Sequence, residues 1–309
     1  MPKAKSVTTK RALLTSLCVD IIDVITNVVV AILTGSVVMI AEAMQGLADL
    51  TAVGLLLVGY KRSGKLPTKM YPFGFGKEAY FWSLLAAVVI LVFTATMSFY
   101  FGLMDFLHPH PVESVFLAYA ILLFAICTNG YAFALSARKL LEGRKWYNLP
   151  HEFMATGHIA PRTTLVLDAL GMLAAFFGFI ALVTYGITGD GRFDGLGAMV
   201  IGILLACSSI ILLIGVKEFI TGRRAPEEIE QKIKSVAQKV QGVEAVVDLK
   251  TMMLGSENLL VNIEINFEDD LTTDQIERLI DRVKQKIMDA HPGRTFVQVE
   301  PETSKKKRS

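Results

Sequence analysis

The sequence predicts a membrane all-α bundle of six transmembrane helices, followed by a small C-terminal α+β domain of order αββαβ. Three observations carry this prediction. The 309 residues are 52% hydrophobic and 19% charged, too apolar for a pair of ordinary soluble domains. The apolar residues before Lys217 gather into long runs, whereas the chain after Arg224 has the charge density of a water-soluble domain. Within that second part, helical spacing of apolar residues gives way to strict alternation and then returns. The division therefore falls between residues 1–220 and 221–309.

A spanning helix needs about 20 mostly apolar residues. Six segments supply them, at 12–33, 37–60, 79–103, 113–136, 164–187 and 195–216. Lys61, Arg62, Lys65, Lys69 and Lys77 follow the second segment, and Arg138, Lys139, Arg144, Lys145 and Arg162 follow the fourth. On the other side, Arg192 is the one basic residue between paired segments. Basic loops stay in the cytoplasm, so both termini are expected there. The basic N-terminal residues Lys3, Lys5, Lys10 and Arg11 precede a long run with no small-residue cleavage pattern, which reads as a retained first helix.

In the soluble part, Pro226 opens a run in which Ile229, Ile233, Val236 and Val240 recur at helical spacing. Gly242 ends it, and Val243 to Leu254 reads as a strand. A turn at Gly255, Ser256 and Glu257 leads into a second strand, Leu259 to Phe267. There Val261, Ile263, Ile265 and Phe267 alternate with Asn262, Glu264 and Asn266, the pattern of a sheet with one buried face. Thr272 and Gln275 form a capping box for a helix running to Ala290, and Thr295 to Val299 supplies the last strand. The order αββαβ gives a two-layer α+β domain.

A net charge of +2 argues against a nucleic-acid partner, and Lys305 to Arg308 read as a solvated tail. Cys18, Cys127 and Cys207 lie in apolar runs without CxxC spacing, so they are expected to be small core residues. No nucleophile and base pair or cofactor motif points to a membrane enzyme.

The informative residues are the acidic ones. An Asp at a helix centre costs roughly 2.5 to 3.5 kcal/mol on insertion scales, while each Leu or Ile returns about 0.3 to 0.6 kcal/mol. Helix one nevertheless holds Asp20 and Asp23, helix two holds Glu42 and Asp49, and helix five holds Asp168. Such residues face a bundle interior or a water-filled path, where a cation is the natural partner. Gln45 and Asp49 are four apart, as are Thr164 and Asp168, so each pair stacks on one helix face. Two facing pairs make a four-ligand cage. Glu42 shares the face of Gln45, and Asp20, Asp23 and Asn27 line one stripe of helix one, where hydrogen bonding between helices is the competing role.

These residues also carry a resemblance. Thr34-Gly35-Ser36 followed by Ala41-Glu42-Ala43-Met44-Gln45-Gly46-Leu47-Ala48-Asp49 resembles the second-helix signature of the cation diffusion facilitators, in which His or Asp, three spacers and Asp bind metal. Thr164-Leu165-Val166-Leu167-Asp168-Ala169-Leu170-Gly171 resembles the matching segment of helix five. Tyr71-Pro72-Phe73-Gly74-Phe75-Gly76-Lys77-Glu78 resembles the family's loop after helix two, and Asp194 opens helix six as that family would have it. Glu42 and the Trp82 segment are similar to the zinc-transporter-9-like branch.

The resemblance implies a ferredoxin-like cytoplasmic domain, a homodimer, and efflux of a divalent metal cation by metal/proton antiport, cation and proton competing for Asp49 and Asp168. The metal is then substrate, and no cofactor is implied. The implied ligands are Asp49, Asp168, Gln45 and Thr164, with Glu42, Asp23 and Asp20 as accessory groups.

Gln45 and Thr164 stand where His or Asp is usual, and Tyr71 and Phe75 replace loop histidines. All five His lie outside these pairs. Imidazole suits zinc, whereas oxygen donors suit Mg²⁺, Ca²⁺ or Mn²⁺. Mn, Fe, Co or Mg is thus expected as well as or instead of Zn. The same departures admit a second reading, a non-transporting partner or scaffold. His291 reads as a surface residue, His108 and His110 with Asp105 and Glu113 as either a cation lure or a plain turn, and His151 and His158 with Glu152 as an interfacial stretch.

The basic-residue asymmetry makes a topological prediction. A reporter placed at Glu113 or Arg192 should be external and one at Lys69 or Gly143 internal, as read by labelling from either side of sealed vesicles. An external Lys69 would overturn the assignment.

Overall fold

The computed structural model describes residues 21–141, 144–150, 159–255, 258–291 and 293–303, with the side chains of residues 139 and 159–164 outside that description. The chain forms two compact units, one drawn from Met1–Val58 and Trp82–Gly215, the other from Gly59–Phe81 and Val216–Ser309.

The first unit is the expected helical bundle: α1 (Ile21–Thr34), α2 (Val37–Ser63), α3 (Glu78–Leu107), α4 (Val115–Leu141), α5 (Ile159–Thr188) and α6 (Arg192–Ile220). Among the described residues, α2 to α6 are each long and apolar enough to cross a membrane. Most of the helices outrun the apolar runs that announce them, because a helix keeps its hydrogen bonds as it passes into the polar interface.

Met39, Leu122, Leu182 and Ile201 are fully enclosed between helices, while Ile32 and Phe116 are 77% and 85% exposed. Large apolar side chains on the outside are what a lipid solvent permits. The same reasoning corrects the reading of the cysteines: Cys127 and Cys207 are exposed on the outer surface, and Cys18 lies outside the described residues.

Glycines let helix backbones touch. A Cβ on Gly102 would lie 2.7 Å from the Gly195 carbonyl oxygen, and one on Gly202 would lie 2.7 Å from the Phe99 nitrogen, so α3 and α6 cross in backbone contact. Near this crossing α3 widens into a π-helical segment, Ile90–Ala95. There the Thr96 hydroxyl donates to the Leu91 carbonyl five residues back, at 3.0 Å.

The turn from α1 to α2 passes through Gly35, whose φ of 66° belongs to the left-handed region. The N-terminus of α2 is then held by a residue far away in sequence. The Asp194 carboxyl, 1% exposed at the start of α6, accepts the Val37 N–H at 2.6 Å, the Val38 N–H at 3.1 Å and the Ser36 hydroxyl at 2.7 Å.

The second unit carries α7 (Glu227–Gln238), β1 (Val243–Met253), β2 (Asn258–Phe267), α8 (Thr273–Ala290) and β3 (Arg294–Pro301), the αββαβ order read from the sequence. The sheet order is β1-β2-β3, antiparallel between β1 and β2 and parallel between β2 and β3. Alternate residues of β2, Leu259, Val261, Ile263 and Ile265, are fully buried against Ile233 of α7 and Val283 and Ile287 of α8. The capping box is present, with the Thr272 N–H donating to the Gln275 side-chain oxygen at 2.7 Å.

The loop between α2 and α3 belongs to this second unit. A Cβ on Gly76 would lie 2.7 Å from the Asn258 side-chain nitrogen and still closer to the Leu254 carbonyl oxygen, and one on Gly255 would meet the Gly76 backbone at 2.9 Å. Two backbones lie in direct contact there. Phe73 packs edge-on to Phe296 of β3 with centroids 5.2 Å apart, and Arg62 pairs with Glu78 at 2.7 Å across the base of the loop.

Removing the Asp194 carboxyl leaves two helix-start amides and a hydroxyl without an acceptor in an apolar surround. Asp194→Ala should therefore destabilise the detergent-solubilised protein by about 3 kcal/mol or more. Asp194→Asn should cost less, because its amide oxygen still accepts. A thermal unfolding midpoint in the alanine variant equal to the parent's would refute this.

Candidate metal centre

The polar residues of the bundle interior converge on α2. Glu42, Gln45 and Asp49 lie on one face of that helix at spacings of three and four. Glu42 is 3% and Gln45 8% exposed, while Asp49, one turn further, is exposed on the single chain. One oxygen of Glu42 is buried without a hydrogen-bond partner, and Asp23 and Asp49 are its acidic neighbours.

From α1, the Asn27 amide donates to the Asp23 carboxylate at 3.1 Å, and Asn27 is almost wholly enclosed. A Cβ on Gly46 would lie 3.4 Å from that carboxylate and 2.8 Å from Val24, so α1 meets α2 where Gly46 leaves room. This pairing agrees with the stripe expected on helix one. Asp20, the third member of that stripe, lies outside the described residues.

From α5, Asp168 is half-buried, and its carboxylate accepts the Ser136 hydroxyl of α4 at 2.5 Å. Three residues on, a Cβ on Gly171 would lie 3.1 Å from the Gln45 side-chain nitrogen and 3.5 Å from the Asn129 side-chain oxygen. Gln45 of α2 thus reaches α5 within one turn of Asp168, and α4 sends Asn129 to the same place. Thr164 sits one turn before Asp168 in α5, and its side chain is outside the description.

Ser136 and Asn129 were missed in the sequence reading. The signal was present, because they are seven residues apart in an otherwise apolar helix and so share one face after two turns.

The donors brought together are carboxylates, amides and a hydroxyl. Among the described residues, no group of three or more His, Cys, Asp or Glu is placed to hold a metal ion, so the amides and hydroxyls would have to complete any coordination shell. The histidines stand apart. His110 lies at 3.1 Å from the buried Asp105 carboxylate near the C-terminal end of α3, and the His291 ring accepts the Gly293 N–H at 3.2 Å beyond α8. His151 and His158 lie outside the described residues. In the loop, Tyr71 and Phe75 pack ring to ring at 4.7 Å, an aromatic contact where a loop metal site would need imidazoles.

The human mitochondrial proton-coupled zinc antiporter SLC30A9 is 27% identical over 265 residues, covering 85% of this chain and 47% of that protein. Metal tolerance protein C4 of Arabidopsis thaliana is 24% identical over 237 residues, covering 76% of this chain and 52% of the relative. The magnetosome protein MamB of Magnetospira sp. (strain QH-2) is 27% identical over 277 residues, with 88% and 89% covered. The chain thus spans about half the length of the first of these relatives. A solved structure of the MamM CTD covers 25% of this chain and 96% of its own, at 19% identity and a TM-score of 0.24.

The profile of the cation efflux transmembrane domain matches residues 13–215, and that of the cation efflux protein cytoplasmic domain matches residues 225–302. With the first profile spanning the bundle and the second the αββαβ domain in the same order, the chain belongs to the cation efflux family, the cation diffusion facilitators.

Proposed function

We propose that this protein carries a divalent metal cation across its membrane in exchange for protons, using Gln45 and Asp49 of α2 with Thr164 and Asp168 of α5. The observation that carries the reading is the approach of Gln45 to Gly171, which brings the polar face of α2 to within a turn of Asp168. Two carboxylates offset a dication's charge, and oxygens from an amide and a hydroxyl replace part of its lost hydration. Glu42 of α2 and Asp23 of α1 serve as accessory groups, as would Asp20, which lies outside the described residues.

Metal binding requires deprotonated carboxylates, so cation and proton exclude one another at the same oxygens. That exclusion is the coupling an antiporter needs, and the name of the human relative supports it. The donor set favours Mn, Fe, Co or Mg alongside or in place of Zn. Both termini lie in the cytoplasm by the distribution of Lys and Arg. The C-terminal domain, matched by a profile named ZT_dimer, pairs with that of a second copy.

In proteoliposomes with an internal metal-sensitive dye, Asp49→Asn or Asp168→Asn should abolish uptake of Mn²⁺ and Zn²⁺ while leaving the melting temperature near the parent's. Gln45→His combined with Thr164→His should shift preference toward Zn²⁺. Transport that survives both Asp substitutions would move the path elsewhere, along α1. Failure of the parent itself to move any cation would favour the non-transporting scaffold.

A further inference from the structure

Hydroxyl side chains in this bundle mostly return their proton to their own helix. Thr34 donates to Val30, Thr94 to Ile90, Thr128 to Phe124, Thr184 to Ile180 and Thr188 to Thr184, each four residues back. Ser136 does not. Although 8% exposed and free to bond backward in the same way, it donates across to α5, to Asp168 at 2.5 Å.

The surrounding packing holds it there. Ala137, next to Ser136, is fully buried in a cluster with Leu140 of α4 and Leu165 of α5, three residues before Asp168. The two helices are therefore fixed together by apolar contacts beside the hydroxyl and the carboxylate. Two turns earlier on the same face of α4, the Asn129 oxygen stands near the point where Gln45 meets Gly171. One stripe of α4 thus attends a polar residue of α5 at one level and one of α2 at another.

We propose that α4 is a third wall of the cation site and that Ser136 is its positioning residue. It fixes the orientation of Asp168 before a cation arrives. A hydrogen bond to a charged acceptor is stronger than a neutral one, and a carboxylate already oriented loses less freedom when it takes a ligand. The hydroxyl has a single proton, committed to Asp168, and its lone pairs add oxygen character beside the carboxylate. This compensates for the absence of imidazole at positions 45 and 164. The inference rests on Asp168 being a cation ligand, and the test separates the two claims.

Initial uptake of Mn²⁺ and of Zn²⁺ is measured in proteoliposomes across a range of concentrations, together with melting temperature in detergent. Ser136→Ala should raise the apparent KM about tenfold, with the maximal rate within twofold of the parent. Ser136→Thr, which keeps a hydroxyl, should restore KM. Loss of transport in Asp168→Asn together with an unchanged KM in Ser136→Ala would overturn the inference while leaving the site assignment intact. Full transport by Asp168→Asn would overturn both. If the alanine variant does not fold, Ser136→Cys, of similar size but a weak donor, decides: a raised KM supports the positioning role, and a parental KM overturns it.

Discussion

A helix begins with amide groups that its own carbonyls cannot reach, and inside an apolar bundle no water is at hand to serve them. In α2 the Asp194 carboxyl of α6 meets that need, together with the hydroxyl of Ser36. The contact fixes more than an end. A helix is rigid at 3.6 residues per turn, so anchoring Val37 sets the rotation at which Glu42, Gln45 and Asp49 emerge about one to three turns later. Gln45 faces Gly171 of α5 because α2 starts where Asp194 holds it. The anion also complements the positive end of the α2 dipole, so charge and hydrogen bonding act in the same direction.

Small residues do the rest of the positioning. Gly46 admits α1 to α2, Gly171 admits the Gln45 amide to α5, and Gly102, Gly195 and Gly202 bring α3 and α6 into backbone contact. Lipid tails are as apolar as leucine, so helices here gain from close van der Waals fit and from polar bonds between them. Where backbones are near, short side chains suffice. Ser136 can reach Asp168 because the apolar contacts around Ala137 and Leu165 leave so little distance to cover.

Much of this was legible in the sequence, for a physical reason in each case. Long apolar runs must be helices in lipid, since only a helix or a closed barrel satisfies every backbone group. The alternation of Leu259 to Phe267 and the Thr272–Gln275 box are local patterns, and the structure shows both. Asp23, Glu42, Asp49 and Asp168 announced themselves by their cost in an apolar run. Ser136 and Asn129 did not, because neither carries a charge, and a hydroxyl in a membrane helix commonly bonds to its own backbone. The cysteines misled through a rule for water-soluble cores, where small apolar residues go inside. In lipid the outside is equally available. The placement of the loop between α2 and α3 beside the αββαβ domain was also invisible, because it depends on Gly76 and Gly255 meeting across a long stretch of chain.

That meeting has a consequence for how the molecule is made. The segment Gly59–Phe81 leaves the ribosome well before Val216–Ser309, yet both contribute to one compact unit. At a few to twenty residues per second, the earlier segment waits on the order of ten seconds for its partner. During that interval Phe73 and the bare backbone at Gly76 have nothing to pack against, while α3 to α6 are being inserted. The unit that closes last is thus stitched from an early piece and a late one.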